Sequence, residues 1–177
     1  MVEEIIILRY GHRDVRDYRV TSHCALVGRA LGATKIIICG EKEEGVKKSV
    51  DDVTKRWGGP FKVEFSKNWK KSLKNLQKKG FRAVHLTMYG VSINSIEKEL
   101  IRKKKLVFII GSQKVEKEVY YLTDYNVSVG TQPHSEIAAL AIAIDRVQKG
   151  KEIQKAFRGA KIRIEPQPRG KKVIPLK

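Results

Sequence analysis

The sequence predicts an α/β fold with a mainly parallel sheet and helices on both faces. Three observations support this prediction: short apolar runs of strand length recur along the chain, helical apolar stripes separate them, and glycines mark many of the boundaries. The first run, Ile5 to Leu8, is continuous rather than alternating, which is typical of a strand buried on both faces.

Six predicted strands alternate with six predicted helices. The strands are expected at residues 3–9, 34–40, 61–65, 83–88, 106–110 and 126–129. Residues 10–19 are predicted to form a polar loop, after which Thr21 or Ser22 caps the first helix and Gly32 ends it. The last helix is expected to begin after Ser135, whose hydroxyl suits an N-cap, and it is apolar on most sides up to Val147. Such a helix needs protein around it, at the centre of the molecule or at a subunit contact.

The carboxyl-terminal segment departs from the alternation. Residues 161–165 and 171–176 have strand-like patterns separated by a turn at 166–170, which predicts a β-hairpin. An isolated hairpin is barely stable in water, so we expect it to lie against the body or against a second subunit. We interpret residues 1–177 as one domain, with 151–177 as a basic carboxyl-terminal extension.

Positive charge is the strongest feature of the composition. The chain has 37 basic and 19 acidic residues, for a formal charge of +18, which favours a polyanionic partner and nucleic acid before a membrane surface. Lysine-rich surfaces also occur in proteins from hot environments. The excess is concentrated after residue 149, where the acids are Glu152 and Glu165, and this favours a binding function.

The remaining composition indicates a reducing compartment. Cys24 lies in a helical pattern and Cys39 ends an apolar strand, so both are expected to be buried thiols. The apolar runs are shorter than a bilayer requires and no targeting segment is recognisable, so we expect a cytoplasmic protein without a membrane partner.

The loop after the first strand carries Arg13, Arg16 and Arg19. Ligands of parallel α/β sheets bind beyond the carboxyl ends of the strands, and guanidinium groups form forked hydrogen bonds with phosphates. The cluster therefore suits a nucleic-acid backbone. The alternative is a set of surface ion pairs with Asp14 and Asp17, which are common and contribute little.

Two later loops are further candidates. The turn from Gly111 to Val115 opens a helix and can present backbone amides to an anion or a purine edge, although an ordinary strand-to-helix turn explains it as well. In the second loop, His134 is a candidate base or a structural histidine, and no zinc site is expected because no other His or Cys stands at ligand spacing. Ser135 and Glu136 either bind a ligand together with Gln132 or only cap the helix.

Three motifs resemble those of the archaeal tRNA cytidine 2′-O-ribose methyltransferases of the SPOUT superfamily. The first combines Gly-His-Arg at 11–13 with Arg16, Asp17, Arg19, Thr-Ser-His at 21–23 and the segment 29–33. The second is Gly-Ser-Gln-Lys-Val at 111–115. The third, and the most specific, is Val-Gly-Thr-Gln-Pro-His-Ser-Glu at 129–136, followed by 137–141 and Asp-Arg at 145–146. The similarity runs over essentially the whole chain.

The resemblance implies a carboxyl-terminal trefoil knot, a homodimer and S-adenosylmethionine as cofactor. It implies methylation of the ribose 2′-hydroxyl of the T-loop cytidine at position 56 of tRNA. The implied cofactor-binding residues are Leu86, Gly111, Ser112, Gln113, Lys114, Val115, Val129, Gly130, Thr131, Gln132, Pro133, His134, Ser135 and Glu136. This interpretation demotes His134 from candidate base to a pocket or structural residue.

A first-motif arginine is implied in the chemistry, and Arg19 is our choice. Because arginine rarely gives up its proton, we expect Arg19 to orient the hydroxyl or to stabilise the developing oxyanion. Arg13, Arg16 and Arg29 are alternatives for this role. Arg13 and Arg16 are expected to contact tRNA, and Arg29 also has a structural explanation within its helix. The competing hypotheses are a non-catalytic RNA-binding module and a nucleotide-dependent enzyme, the latter disfavoured by the absence of a phosphate-loop glycine pattern.

Overall fold

Six parallel strands form the sheet, as the sequence predicts. The computed structural model describes residues 2–111 and 115–176, without the side chains of Asp14 and Val15. The strands are β1 (Glu4–His12), β2 (Lys35–Gly40), β3 (Lys62–Ser66), β4 (Arg82–Ser92), β5 (Lys105–Gly111) and β6 (Tyr125–Ser128). They lie in the order β3-β2-β1-β5-β4-β6, and all neighbouring strands are parallel.

Helices cover both faces of this sheet. They are α1 (Asp14–Ala30), α2 (Glu44–Trp57), α3 (Trp69–Lys78), α4 (Ile93–Ile101), α5 (Lys117–Leu122) and α6 (Glu136–Gln148). One core cluster joins α1, α2, α4 and α6 to the sheet, and a second joins α3 and α5 to its other face. The continuous apolar runs follow from this arrangement, because alternate residues of each central strand enter opposite cores.

The first helix begins earlier than the sequence predicts. Residues 14–19 were expected to lie in a loop, but they form the first turns of α1, and Thr21 and Ser22 lie inside the helix. The cause is Asp17, whose carboxylate accepts the backbone N–H of the N-cap residue Arg13 at 3.0 Å. An acidic side chain thereby satisfies one of the free amides at the helix start. Arg16 and Arg19 consequently lie on a helix rather than on a loop.

Strand β4 continues past the predicted end at residue 88. It pairs with β6 through Leu86 and again through Val91, with a register shift between the two. A side chain at Gly90 would lie 2.4 Å from the backbone nitrogen of Val127, so only glycine allows the two strands to approach here. The bulge from residues 87 to 90 lies at the carboxyl end of the parallel strands, near the loops that follow β5 and β6.

The carboxyl-terminal hairpin is confirmed. Strand β7 (Ile162–Ile164) pairs antiparallel with β8 (Val173–Pro175). The segment that leads to it is joined to the end of α2: Gly59 donates its N–H to the carbonyl of Arg158, and Lys161 donates its N–H to the carbonyl of Arg56, both at 2.9 Å. The hairpin is therefore anchored to the body of the same chain, one of the two placements expected for it.

Both cysteines are buried and free, as predicted. Burial raises the pKa of each thiol, Cys24 and Cys39, to about 12, so neither is a reactive thiolate. None of the helices in the described residues is long and apolar enough to cross a membrane.

Candidate active site

A cleft of about 550 Å³ opens at the carboxyl ends of β4, β5 and β6, against the first turns of α1 and α6. Its walls are mainly apolar, and its polar groups are few. The lining residues are Arg16, Asp17, Val20, Leu86, Thr87, Met88, Gly111, Val127, Val129, Gln132, Pro133, His134, Glu136 and Ala139. Volume, position and composition are those expected of a small-molecule site in an α/β sheet.

Seven of the fourteen predicted cofactor residues line the cleft. They are Leu86, Gly111, Val129, Gln132, Pro133, His134 and Glu136. Val115 packs against Gly111, since its side chain lies where a Cβ on Gly111 would sit. Gly130 and Thr131 belong to the same loop but are not lining residues, and Ser112, Gln113 and Lys114 fall outside the described residues.

The loop before α6 has the local structure that its sequence predicts. Gly130 has a φ of +129°, a conformation that other residues rarely adopt. Ser135 is the N-cap of α6, and its hydroxyl accepts the N–H of Ile137 at 3.2 Å. His134 is exposed, and its Nδ1 lies 3.1 Å from the carbonyl of Ser135, which supports a structural role for this histidine.

The first-motif arginines have three different surroundings. Arg16 lines the cleft and makes a forked contact with Asp17, at 2.8 and 3.0 Å. Arg13 and Arg19 are exposed, and neither is a lining residue of the cleft. Burial alone would raise the pKa of Asp17, but hydrogen bonds from Arg16 and the Arg13 backbone, with the charge of Arg9, hold that pKa below its usual value. Asp17 therefore stays ionised and orders the beginning of α1.

Arg29, an alternative catalytic arginine, makes its contacts away from the cleft. It is buried, and its guanidinium donates to the carbonyl of Gly58 at 2.6 Å. The ring of Phe157 lies 5.3 Å from its central carbon. These contacts join α1 to the end of α2 and to the basic extension, which gives Arg29 a structural explanation.

A buried arginine behind the cleft was not predicted from the sequence. Arg9 is 1% exposed in β1. Its Nε donates to the hydroxyl of Thr21 at 3.3 Å, and its Nη1 lies 3.1 Å from Oε1 of Glu136. The hydroxyl of Thr21 also lies 2.9 Å from Nδ1 of His12. The available signal was an arginine directly after four consecutive apolar residues of a strand predicted to be buried.

A second polar network supports the β4 side of the cleft. The hydroxyls of Thr87, a lining residue, and Tyr120 lie 3.2 Å apart. The ring of Tyr120 packs edge-on against the buried His85, whose Nδ1 is 2.9 Å from the side-chain oxygen of Asn126. Burial lowers the pKa of His85, so this histidine is neutral at physiological pH. Thr87 was not predicted either, because a threonine at a strand end carries no distinctive signal.

The part of the chain that the structure describes contains no candidate set of metal ligands. No group of three or more His, Cys, Asp or Glu side chains is close enough there to hold an ion.

Comparison with known proteins agrees with this geometry. Residues 57–174 match the family described as tRNA ribose 2′-O-methyltransferase, aTrm56. The tRNA (cytidine(56)-2′-O)-methyltransferase of Pyrococcus horikoshii is 54% identical over 174 residues, which cover 96% of this chain and 84% of that protein. The protein of the same name from Thermococcus kodakarensis is 52% identical over 180 residues, which cover 99% of each chain.

A solved structure gives the same fold at low sequence identity. The SpoU methyltransferase AviRb from Streptomyces viridochromogenes, in complex with the cofactor AdoMet, matches with a TM-score of 0.57 at 14% identity. The match covers 83% of this chain and 57% of that one, so this chain spans little more than half of AviRb. A likeness at this identity supports the fold.

Proposed function

We propose that this chain, which belongs to the tRNA ribose 2′-O-methyltransferase family aTrm56, methylates the ribose 2′-hydroxyl of cytidine 56 in tRNA with S-adenosylmethionine as the methyl donor. The observation that supports this most is the cleft, since the segment 129–136 that carries the most specific motif forms one of its walls. The alternative of a non-catalytic RNA-binding module would leave such a cleft unexplained.

The cleft fits the proposed cofactor. Its volume of about 550 Å³ lies in the range of ligand sites, and Leu86, Val127, Val129 and Ala139 provide apolar walls for an adenosine. The residues that would hold the cofactor are those of the segments 86–88, 111–115 and 129–136. When bound, S-adenosylmethionine would supply the methyl group: its bond to sulfur would break with the electron pair kept by sulfur, while the ribose 2′-oxygen would form the new bond and lose its proton.

The chain contributes mainly position and charge to this reaction. An in-line displacement is accelerated by holding the reacting atoms in alignment. Arg16 stands at the cleft, and we assign it and Arg13 to the tRNA backbone. We assign Arg19 to the acceptor hydroxyl, where a guanidinium stabilises the developing oxyanion. Because Arg19 is exposed outside the cleft of its own chain, the proposal places it against the cleft of a second subunit.

The homodimer and the trefoil knot are part of the same proposal. An exposed apolar strip on α6 supports a dimer: Ile142 is 43% exposed, and Ala138 lies one turn before it on the same side of the helix. Knotting is expected at the segments around β4 and β6. We treat residues 1–177 as one domain with a basic extension at 151–177, and we expect it to act on tRNA in the cytoplasm.

The test is incubation with labelled S-adenosylmethionine and unmodified tRNA, followed by nuclease digestion. We expect label on the ribose of cytidine 56, and label on a base or at another nucleotide would refute the specificity. Calorimetry with S-adenosylmethionine alone separates the enzyme from the RNA-binding module, because the module would show no binding. Sedimentation of the free protein tests the dimer.

A further inference from the structure

The buried position of Arg9 requires an explanation. A guanidinium removed from water loses several kcal/mol of hydration unless an anion and hydrogen bonds compensate for it. Arg9 is 1% exposed, and its Nε donates a hydrogen bond to the hydroxyl of Thr21. The anion that faces it is Glu136, whose Oε1 lies 3.1 Å from Nη1 of Arg9. Glu136 is therefore held in place from the interior of the protein by Arg9 of β1, which is itself hydrogen-bonded to Thr21 of α1.

Glu136 also faces the cleft. Its side chain is 31% exposed and is one of the lining residues, so the carboxylate lies between the interior arginine and the ligand space. The other carboxylate that lines the cleft is Asp17, which is 6% exposed and accepts both the fork of Arg16 and the backbone N–H of Arg13. Among the described lining residues, Glu136 is thus the carboxylate placed to meet a cationic ligand.

The position of Glu136 selects one part of the ligand. S-adenosylmethionine has two cationic groups, the α-ammonium and the sulfonium that carries the methyl. The acceptor has to meet the methyl, and Arg16, which is assigned to the tRNA backbone, lines this cleft from α1. Glu136 lies at the α1 wall, since Arg9 links it to Thr21 of that helix. The sulfonium is therefore the nearer of the two cations in a productive arrangement.

We propose that Glu136, positioned by the buried Arg9, recognises the positive sulfur of S-adenosylmethionine and so discriminates the methyl donor from its neutral product, S-adenosylhomocysteine. The apolar side chains of Val20, Leu86 and Ala139 line the same cleft, and an apolar lining strengthens a charge interaction relative to water. The product keeps the adenosine and the α-ammonium but no longer carries the charge that Glu136 faces. The ion pair of Arg9 and Glu136 thus favours binding of the donor and release of the product. This inference rests on the proposed function.

The experiment measures the dissociation constants of both ligands by calorimetry for the wild type and for Glu136→Gln, without tRNA. We expect Glu136→Gln to weaken S-adenosylmethionine about tenfold, as when one charged interaction is removed, and S-adenosylhomocysteine less than about twofold. Sinefungin, which carries a charged amine in place of the sulfonium, should behave like the donor. Equal weakening of donor and product would assign the carboxylate to the α-ammonium, and unchanged binding of both would remove it from the ligand; both results overturn the proposal.

Arg9 is tested as a positioning residue by the donor preference, which is the ratio of the dissociation constants of S-adenosylhomocysteine and S-adenosylmethionine. Arg9→Met should abolish the donor preference, and Arg9→Lys, which keeps a cation behind Glu136, should restore most of it. Glu97→Gln is the matched control, because Glu97 forms an ion pair of 3.3 Å with Arg146 outside the cleft. If Arg9→Met does not fold, the binding constants of Glu136→Gln still show whether the carboxylate recognises the sulfonium. Wild-type binding of the donor tests the proposed function itself, so its absence is distinguishable from an unchanged ratio in Glu136→Gln.

Discussion

Arg9 and Arg19 lie ten positions apart and have opposite surroundings. Arg9 is enclosed between β1, α1 and α6, and its partners are fixed within the chain. Arg19 is exposed on α1, where water or a bound polyanion can reach it. The difference teaches that a strongly basic chain uses its cations in two ways. An interior cation orders a ligand site, whereas surface cations are available for RNA.

The largest effect is expected at the exposed position. Arg19→Ala should lower kcat by about 100- to 1000-fold, the decrease typical of removing one group that stabilises an oxyanion. The affinity for S-adenosylmethionine should stay within about twofold, because Arg19 is assigned to the acceptor hydroxyl and not to the cofactor. Single-turnover methylation of tRNA and calorimetry measure the two quantities. Full activity in this variant would contradict the catalytic assignment.

The subunit that provides Arg19 is tested by mixing two inactive variants. Arg19→Ala is combined with Ala139→Phe, which fills the cleft from a buried lining position. If Arg19 acts across the dimer, mixed dimers regain one complete site and with it measurable activity. A mixture that stays inactive, although exchange of subunits is shown by mass spectrometry, would place Arg19 in its own subunit's site.

The interior position should affect stability rather than turnover alone. Arg9→Met is expected to lower the free energy of unfolding by about 1–3 kcal/mol, the cost of removing the ion pair with Glu136 and the hydrogen bond to Thr21, because water can still reach Glu136. Arg13→Ala, an exposed control, should change it by less than about 0.5 kcal/mol. Urea denaturation gives both values. Equal small changes would mean that the interior pair contributes nothing beyond a surface ion pair.

The basic extension should act on tRNA affinity with a smaller effect. Arg169 and Lys171 are exposed in the turn of the carboxyl-terminal hairpin. Replacing both with Ala should weaken tRNA binding several-fold and reduce the slope of log K against log salt by about one for each phosphate that the variant no longer neutralises. Binding measured between 50 and 300 mM salt, roughly the range where such interactions dominate, checks this. An unchanged slope would remove the hairpin turn from the RNA surface.

The smallest effect concerns a buried acid in the basic extension. Glu152 is 3% exposed, and burial, with the neighbouring Asp145, raises its pKa. A carboxyl whose pKa is raised on folding destabilises the folded state once the pH exceeds its unfolded value of about 4.3. Glu152→Gln should therefore raise the melting temperature at pH 7 by a few degrees and leave it unchanged near pH 4. A rise of equal size at both pH values would indicate packing instead of ionisation.

The sheet and its helices were predictable because burial leaves a direct trace in the sequence. The run Ile5 to Leu8 and the cap at Ser135 both have the structure that their residue types favour. The start of α1 was not predictable in the same way. Its first turns are mostly polar, and the hydrogen bond from the Arg13 amide to Asp17 is recognisable only when the helix is seen.

The cleft was predictable in its loops but not in its supporting contacts. Half of the residues assigned to the cofactor through motif resemblance line it, whereas Arg9 and Thr87 were not predicted. Spacing identifies which residues share an element; it does not identify a pair such as Arg9 and Glu136, which are far apart in sequence. The close approach of β4 and β6 at Gly90 is another long-range contact, and a single glycine in the sequence does not predict it.

The proposed acceptor of the methyl group is a single ribose oxygen. The most direct measurement uses two tRNA transcripts that differ only at cytidine 56, one with ribose and one with 2′-deoxyribose at that nucleotide. We expect one methyl group per molecule on the first transcript and none on the second, with equal binding of both. Methylation of the deoxy transcript at the same rate would contradict the account.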